Sequence, residues 1–189
     1  PKKTLKTEQE VADFLEKEFR KNNATSAFPI IVAMGKHAAI PHHITSNQKL
    51  KKGFLLIDFG AKYKNYCSDM TRVIYLGKAN NEEKQFYHLL LQSQLEAISH
   101  IQHNRSFKKL DNIARNNLAE YSSHFIHSLG HGIGIDVHES PSFFDNSRIN
   151  HNQVFTIEPG IYFPGKFGLR IEDTVHFNNK VTVLTKAPK

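Results

Sequence analysis

Two pairs of apolar strands, each strand interrupted by a carboxylate, constrain the fold of this chain more than any other feature. In the first pair, GFLLIDFG (53–60) and NYCSDMTRVIYLG (65–77) are close enough in sequence to predict an antiparallel hairpin. A turn centred between positions 63 and 64 would place Asp58 directly opposite Asp69. Directly opposed residues share one face, with Cβ atoms about 5 Å apart.

The second pair, VFTIEPGIYF (154–163) and GLRIEDTVHF (168–177), flanks the turn sequence FPGKF. The midpoint between Glu158 and Glu172 is Gly165, within that turn, so these acids are also predicted to lie face to face. Opposed like charges destabilise a sheet, and burying them in apolar strands adds a further cost. Two such pairs are therefore unfavourable unless cations neutralise them.

The cations could be arginines or metal ions. Arg72 and Arg170 are near enough in sequence to pair with an acid of either hairpin, and exposed acids would need no partner. A histidine-bearing stretch, Ser128–Pro141 (SLGHGIGIDVHESP), favours metal. It carries His131 and His138 among three glycines, which allow close approach of a ligand or another chain. Imidazole can ligate a metal ion or move a proton.

Four carboxylates and one imidazole fit two divalent ions. The four negative charges balance two dications, and the oxygen-rich set favours Mn²⁺, Co²⁺ or Fe²⁺ over a thiolate-type zinc site. Mn²⁺ is the first choice among these, and Zn²⁺ is also compatible. Carboxylates can bridge two ions about 4 Å apart, and water held between such ions becomes a nucleophile near neutral pH. The constellation therefore predicts a hydrolase.

The remaining patterns predict an α+β fold in a single domain, residues 1–189. Strands and amphipathic helices are mixed without regular β-α-β alternation, so we expect an antiparallel sheet with helices on one face. The first helix should begin with a capping box formed by Thr7 and Glu10. The predicted helices span 7–23, 80–102 and 106–121, and further strands span 28–35 and 181–185.

Composition narrows the location and the partners. The chain has 25 Lys and Arg against 18 Asp and Glu, a formal net charge of +7, but these basic residues are scattered. We therefore expect no nucleic-acid partner. No apolar run reaches the ~18 residues of a membrane span, and the charged start lacks the apolar region of a signal peptide. One cysteine, Cys67, excludes an internal disulfide and suits a reducing compartment. We expect a cytoplasmic protein without a membrane partner.

Five segments together resemble the metallopeptidases of the pita-bread (creatinase/aminopeptidase-like) fold, which include methionine aminopeptidases, Xaa-Pro aminopeptidases and prolidases. The segments span residues 38–175 in the order seen in that family, and they read AAIPHH, IDFGAKYKNYCSDMTR, HSLGHGIGIDVHESP, TIEPGIYFPGKFG and LRIEDTV. The resemblance implies a curved antiparallel sheet with helices on one face. It also implies a peptidase that uses two divalent metal ions.

The resemblance assigns roles residue by residue. Glu158, His138 and His42 match catalytic residues, and His42, His127 and His138 match residues that contact the substrate. Arg170 matches an arginine that pairs with the first aspartate ligand. Asp69 and Glu172 match the two carboxylates that bridge the ions. The five positions that match metal ligands are Asp58, Asp69, His131, Glu158 and Glu172. His43, next to His42, is expected to be a surface residue.

The motifs LRIEDTV, PHH and GIDVHESP resemble the proline-specific branch, which implies peptide substrates with proline at the second position. Two alternatives stay open: a methionine aminopeptidase, and a non-catalytic binding module that uses the same fold. The chain also departs from the family. We expect it to lack the family's first helix and amino-terminal domain, which often helps to form a homodimer. Its loop carries Lys36-His37 where a glycine-asparagine pair is more usual.

Overall fold

The computed structural model describes residues 4–142 and 148–189. Within these ranges the helices are α1 (Glu8–Lys21), α2 (Asn81–His100) and α3 (Phe107–Leu118), with 3-10 turns at Gly35–Ala39 and Ala119–His124. The strands are β1 (Thr25–Ser26), β2 (Ile31–Met34), β3 (Gly53–Phe59), β4 (Ala61–Tyr63), β5 (Tyr66–Cys67), β6 (Met70–Leu76), β7 (His131–Gly132), β8 (Glu139–Ser142), β9 (Gln153–Ile157), β10 (Gly160–Phe163), β11 (Phe167–Arg170), β12 (Asp173–Asn178) and β13 (Lys180–Val183).

The strands pair antiparallel throughout the described ranges, which agrees with the predicted α+β fold. The largest sheet has the order β13-β12-β9-β7-β8, and a second sheet has the order β2-β3-β6. Smaller sheets are formed by β1-β4-β5 and by β10-β11. No helix in the described part of the chain is long and apolar enough to cross a membrane.

Two clusters of buried side chains support the strands that carry the acids. Helices α2 and α3 pack on each other and contribute to the larger cluster, which also contains Ile157 and Ile171. Helix α1 packs on β2 in the smaller cluster, which also contains Ile57. Each of these three isoleucines is the sequence neighbour of a predicted metal ligand. Because side chains alternate along a strand, burying the isoleucine in a core directs the neighbouring acid to the other face.

The first hairpin turns one residue later than the sequence suggested, and the predicted direct pairing of Asp58 with Asp69 is wrong. Asp58 pairs instead with Thr71, and the chain reverses at Lys64 and Asn65, whose φ angles are +48° and +69°. Positive φ at both central residues is characteristic of a two-residue hairpin turn, but Lys-Asn is not the usual Asn-Gly sequence. The shift is two residues, so the two aspartates still share a face as diagonal neighbours.

The second hairpin has the predicted register. Gly160 pairs with Arg170, and the same register continues past Glu158 and Glu172 into the pairing of β9 with β12. Gly165 lies in the turn with φ +73°, a conformation that glycine adopts without strain. The two glutamates therefore occupy opposed positions, as the sequence symmetry indicated.

Helix α1 begins where the sequence predicted, but only half of the capping box forms. The Thr7 Oγ1 accepts a hydrogen bond from the Glu10 backbone N–H at 3.1 Å. The Glu10 carboxylate accepts instead from the Lys6 backbone N–H at 2.6 Å, one residue before the cap. The helix start is therefore satisfied through a neighbouring donor.

Candidate metal centre

A single cavity of about 1000 Å³ collects the residues predicted to act in the site. The walls include the predicted ligands on both hairpins and on the histidine-bearing stretch, together with the predicted substrate-side histidines and the arginine. These residues are Asp58, Asp69, His131, Glu158, Glu172, His42, His127, His138 and Arg170. The two hairpins, far apart in sequence, therefore face one space.

Backbone hydrogen bonds at strand breaks join the hairpins to each other and to the histidine-bearing stretch. Glu158 lies between β9 and β10, and its N–H donates to the Leu129 carbonyl at 2.8 Å. Glu172 lies between β11 and β12, and its N–H donates to the Thr71 carbonyl at 3.2 Å. These breaks turn the glutamate side chains into the cavity while the backbone stays satisfied.

The His131 ring is oriented toward the acids by its other nitrogen. Its Nδ1 lies 3.1 Å from the Gly132 carbonyl, which accepts a hydrogen bond only if Nδ1 carries the proton. Its Nε2 then faces Glu158 Oε1 at 3.2 Å and Asp69 Oδ2 at 3.6 Å. In the neutral form that metal binding requires, a ring fixed in this way presents a lone pair toward the carboxylates, which is the orientation a metal ligand needs.

Three acid oxygens test whether the donor set fits a metal ion. Within the described ranges, Asp58 Oδ1, Asp69 Oδ1 and Glu172 Oε1 are buried and have no hydrogen-bond partner. In addition, Asp69, His131 and Glu172 each offer a ligand atom within 4.8 Å of the others. Buried carboxylate oxygens without donors are costly, and a divalent cation compensates them. The residues present therefore fit divalent metal ions.

Electrostatics lead to the same conclusion. Burial raises the pKa of Asp69 to about 8, and the charges of Asp58 and Glu158 add to the effect. Burial also raises the pKa of Glu172 well above its usual range, and it raises the pKa of Asp58 although the positive charge of Arg170 opposes the shift. The metal-free cavity therefore holds more carboxylate groups than it can keep ionised.

Glu158 differs from the other acids because it is paired with His131. Burial would raise the pKa of Glu158, but the hydrogen bond and positive charge of His131 outweigh it, so the pKa of Glu158 is lowered. The same contact raises the pKa of His131 against the effect of burial. Thr156 adds a second hydrogen bond, since its Oγ1 donates to Glu158 Oε1 at 2.9 Å. Glu158 is therefore the acid that stays ionised most readily without metal.

Arg170 holds Asp58, as the resemblance implied, and also organises residues that sequence reasoning missed. Its Nη2 donates to Asp58 Oδ2 at 2.6 Å, and its Nε donates to Thr71 Oγ1 at 3.0 Å. The Thr71 hydroxyl donates in turn to Glu172 Oε2 at 2.7 Å. Thr71 lies two residues after Asp69 on the same strand face, so the two-residue period of the strand was the signal that could have found it.

Tyr162 is the second missed residue, and it connects Arg170 to His127. Arg170 Nη1 donates to the Tyr162 hydroxyl at 2.8 Å, and that hydroxyl lies 2.8 Å from His127 Nε2. His127 Nδ1 lies 2.8 Å from the Ser128 carbonyl, so Nδ1 carries the proton and Nε2 accepts from Tyr162. Burial lowers the pKa of His127, which keeps the ring neutral. Both ring nitrogens are thus engaged, and His127 presents ring carbon to the cavity.

The other histidines divide into two environments. The His138 ring lies 4.2 Å from the His131 ring, centroid to centroid, and burial together with the His131 charge lowers the pKa of His138. His42 is exposed on the cavity wall. His43 is not the surface residue that we expected, because its Nε2 lies 3.1 Å from Glu8 Oε2 and its side chain is only 10% exposed.

Metal affinity should increase with pH because a bound ion must displace protons from these acids. With the pKa of Asp69 at about 8, each pH unit below that value should weaken binding about tenfold for that one proton. Isothermal titration of the chelator-stripped protein with Mn²⁺ at pH 6, 7 and 8 measures the effect. Affinity that is constant across this range would show that the acids are already ionised.

Comparison with known proteins places these residues in a family. The profile of metallopeptidase family M24 (Peptidase_M24) matches residues 2–179. A Xaa-Pro dipeptidase of Pyrococcus horikoshii is 43% identical over 176 residues, which cover 90% of this chain and 50% of the relative. The solved prolidase of Pyrococcus horikoshii OT3 superposes with a TM-score of 0.94 at 40% identity, over 100% of this chain and 56% of that one.

A second solved structure, the X-Pro aminopeptidase of Thermotoga maritima MSB8, superposes with a TM-score of 0.90 at 43% identity. The match covers 96% of this chain and 54% of the Thermotoga chain. The chain thus spans about half the length of the curated relatives that it matches. The superpositions confirm the predicted pita-bread fold. Because the family profile matches residues 2–179 and both acidic hairpins converge on one cavity, the chain belongs to metallopeptidase family M24.

Proposed function

We propose that this chain hydrolyses the peptide bond between an amino-terminal residue and a following proline. The observation that carries the proposal is the convergence of four carboxylates and His131 on one cavity, with three buried acid oxygens that lack donors. Relatives named Xaa-Pro dipeptidase and X-Pro aminopeptidase, at 43% identity, support the substrate class.

The proposed centre holds two divalent ions, with Mn²⁺ as the first choice. Asp58, Asp69, His131, Glu158 and Glu172 are the proposed ligands, and the predominance of oxygen donors supports Mn²⁺ or a similar ion. Asp69 and Glu172 are proposed to bridge the ions. Their ligand atoms lie within 4.8 Å of each other and of a His131 nitrogen, which is compatible with that role.

When bound, the ions would polarise the scissile carbonyl and activate a water molecule. Side chains of the protein would transfer the protons and stabilise the developing charge. Glu158 is suited to take the proton from the attacking water, because its lowered pKa keeps the carboxylate ionised and therefore able to accept a proton. The Thr156 hydroxyl donates to its Oε1 at 2.9 Å and so fixes the orientation of the carboxylate. Glu158 would then pass the proton to the departing proline nitrogen.

His138 is suited to stabilise the negative charge that develops on the carbonyl oxygen. The lowered pKa keeps its ring neutral at pH 7, so one ring N–H can donate without a net charge. A donor of this kind contributes about 3 kcal/mol to the stability of a transition state. His42, on the cavity wall beside Pro41, is proposed to contact the substrate on the side that receives proline.

The same cavity offers an apolar surface for the proline ring. His127 contributes ring carbon because both its nitrogens are engaged. Apolar side chains complete the wall, namely Phe28, Pro29, Ile31, Ile44 and Val137. The nitrogen of the X-Pro bond is a tertiary amide nitrogen, which carries no hydrogen and needs no acceptor from the protein, so an apolar wall suits proline.

The proposal is tested by hydrolysis after Mn²⁺ loading. We expect cleavage of Ala-Pro or Ala-Pro-Ala, and the preferred length distinguishes a dipeptidase from an aminopeptidase. Cleavage of Met-Ala but not of either proline peptide would support the methionine aminopeptidase alternative. Absence of both metal binding and cleavage would support a non-catalytic binding module. A homodimer and a cytoplasmic location stay predictions.

Tyr162→Phe should reduce kcat/KM on the preferred proline peptide by about 10–100-fold, the usual range for partners that orient site residues. The hydroxyl is buried between Arg170 and His127, and its loss leaves a guanidinium N–H and an imidazole nitrogen without their partner. Steady-state kinetics measures the loss, and ¹⁵N NMR of His127 reports the changed hydrogen bonding.

The matched control is Tyr75→Phe. The Tyr75 hydroxyl donates to Glu83 Oε1 at 2.8 Å, on residues that do not line the cavity. That substitution also removes one hydroxyl hydrogen bond, yet it should leave kcat/KM near the wild-type value. Equal losses in both variants would show that Tyr162 acts on general stability only.

A further inference from the structure

A second cluster of metal-ligating side chains lies apart from the five predicted ligands. Glu8 in the first turn of α1, His37 in the 3-10 turn and His43 in the following loop each offer one ligand atom, and these atoms lie within 4.8 Å of one another. Glu8 has no exposed surface, while the side chains of His37 and His43 are 22% and 10% exposed. The family resemblance assigns no role to any of the three.

Both imidazole rings lie within hydrogen-bond distance of the Glu8 carboxylate. His37 Nδ1 lies 2.9 Å from Glu8 Oε1, and His43 Nε2 lies 3.1 Å from Glu8 Oε2. The ring centroids are 4.3 Å apart, with the rings 30° from parallel. Each of these ring nitrogens can donate an N–H to the carboxylate or, when it carries no proton, offer a lone pair to a metal ion. A divalent ion engages the carboxylate and both neutral rings together.

The carboxylate is already held as a ligand would be. The Met34 backbone N–H donates to Glu8 Oε1 at 2.7 Å, and the Ser46 hydroxyl donates to Oε2 at 2.7 Å. Burial would raise the pKa of Glu8, but these hydrogen bonds outweigh it and the pKa is lowered, so the group is an anion. Hydrogen bonds from outside the ligand set are typical of carboxylates that bind metal.

We propose that Glu8, His37 and His43 form a separate site for a divalent transition-metal ion, with Zn²⁺ as the preferred occupant. Two imidazoles and one carboxylate are a set that binds zinc, with bonds of about 2.0–2.2 Å. A tetrahedral ion with such bonds separates its ligand atoms by about 3.3–3.5 Å. The two observed nitrogen–oxygen separations are shorter by a few tenths of an ångström, so small shifts open the site.

The site is tested by Zn²⁺ titration of chelator-stripped protein that carries Asp69→Asn, which weakens the five-ligand centre. We compare this protein with the same protein carrying His43→Gln in addition. Glutamine can still donate to Glu8 Oε2, so the loop contact is kept while the imidazole ligand is lost. We expect the His43→Gln protein to bind one equivalent of Zn²⁺ less. The matched control is His103→Gln, which removes an exposed histidine and should bind as much as the parent.

Two further measurements keep the outcome decisive. His37→Asn removes the other imidazole and should also reduce binding by one equivalent of Zn²⁺. Thermal unfolding in chelator shows whether either variant has lost its fold. In zinc-soaked crystals, anomalous scattering should place an ion about 2.0–2.1 Å from His37 Nδ1 and His43 Nε2. Equal Zn²⁺ equivalents in the His43→Gln and His103→Gln proteins, or no ion at these nitrogens, would overturn the proposal and leave a hydrogen-bonded network. Because no substrate is used, the result is independent of peptidase activity.

Discussion

Replacing Asp69 with asparagine should lower the Mn²⁺-dependent hydrolysis of a proline peptide by at least about a thousandfold, which corresponds to about 4 kcal/mol of transition-state stabilisation. Asp69 is buried, its Oδ1 has no hydrogen-bond partner, and its Oδ2 lies 3.6 Å from His131 Nε2. Asparagine keeps the shape but supplies only one neutral oxygen. The proposed bridge between the ions would be lost, and metal content should fall with activity.

The variant should lose its metal without losing its fold. The pKa of Asp69 is raised to about 8 in the folded protein, above its value of about 3.9 in an unfolded chain. A carboxyl group whose pKa is raised by folding stabilises the folded protein fully below pH 4, and this contribution is lost as the pH rises to 8. Chelated wild-type protein should therefore become less stable between pH 5 and pH 8, and Asp69→Asn should reduce that dependence.

The control for this experiment is Asp136→Asn, an exposed carboxylate on the loop that carries His138. It changes the same functional group near the cavity but should keep metal content and hydrolysis near the wild-type level. Urea unfolding in chelator at pH 5 and pH 8 supplies the stability comparison. If Asp69→Asn kept full activity with no bound metal, the dimetal proposal would have to be abandoned.

Sequence reasoning located the acids of the site more reliably than it located their pairing. Acids in otherwise apolar strands are unusual enough to be recognised without coordinates. The second hairpin followed from the symmetry around Gly165, whose positive φ favours glycine. The first was misplaced because Lys64 and Asn65 adopt positive φ without the usual glycine signal. The predicted register was wrong by two residues. Because side chains alternate along a strand, the predicted face was still correct although the predicted partner was wrong.

Hydrogen bonds over long sequence separations were beyond the reach of pattern reasoning. Tyr162 and Thr71 are separated from predicted site residues by an even number of positions. The neighbouring sequence, however, does not show that their hydroxyls contact Arg170. Glu8 is a clearer case, because an acid in the first turn of a helix is ordinarily an exposed group that favours the helix dipole. Here the side chain is completely buried, and one of its partners is His43, 35 residues later in the chain.

Arg170→Met should destabilise the chelated protein by about 3–5 kcal/mol, the usual cost of leaving one buried charge without its partner. Arg170 is 4% exposed and donates to Asp58 Oδ2 at 2.6 Å, and it is the cation paired with that acid. Added Mn²⁺ should recover much of this loss if Asp58 is a ligand, because the ion then supplies the missing positive charge. By linkage, the variant should gain more stability from Mn²⁺ than the wild type gains.

A second buried ion pair that also joins the two hairpins provides the matched control. Arg72 Nη2 donates to Asp173 Oδ1 at 2.7 Å, with side chains 10% and 0% exposed, and neither residue lines the cavity. Arg72→Met should therefore cost stability to the same extent with and without Mn²⁺. Denaturant unfolding of both variants in chelator and in Mn²⁺ makes the comparison. Recovery confined to Arg170→Met would identify Asp58 as a metal-facing acid, whereas an Arg170→Met deficit that Mn²⁺ leaves unchanged would remove Asp58 from the proposed ligand set.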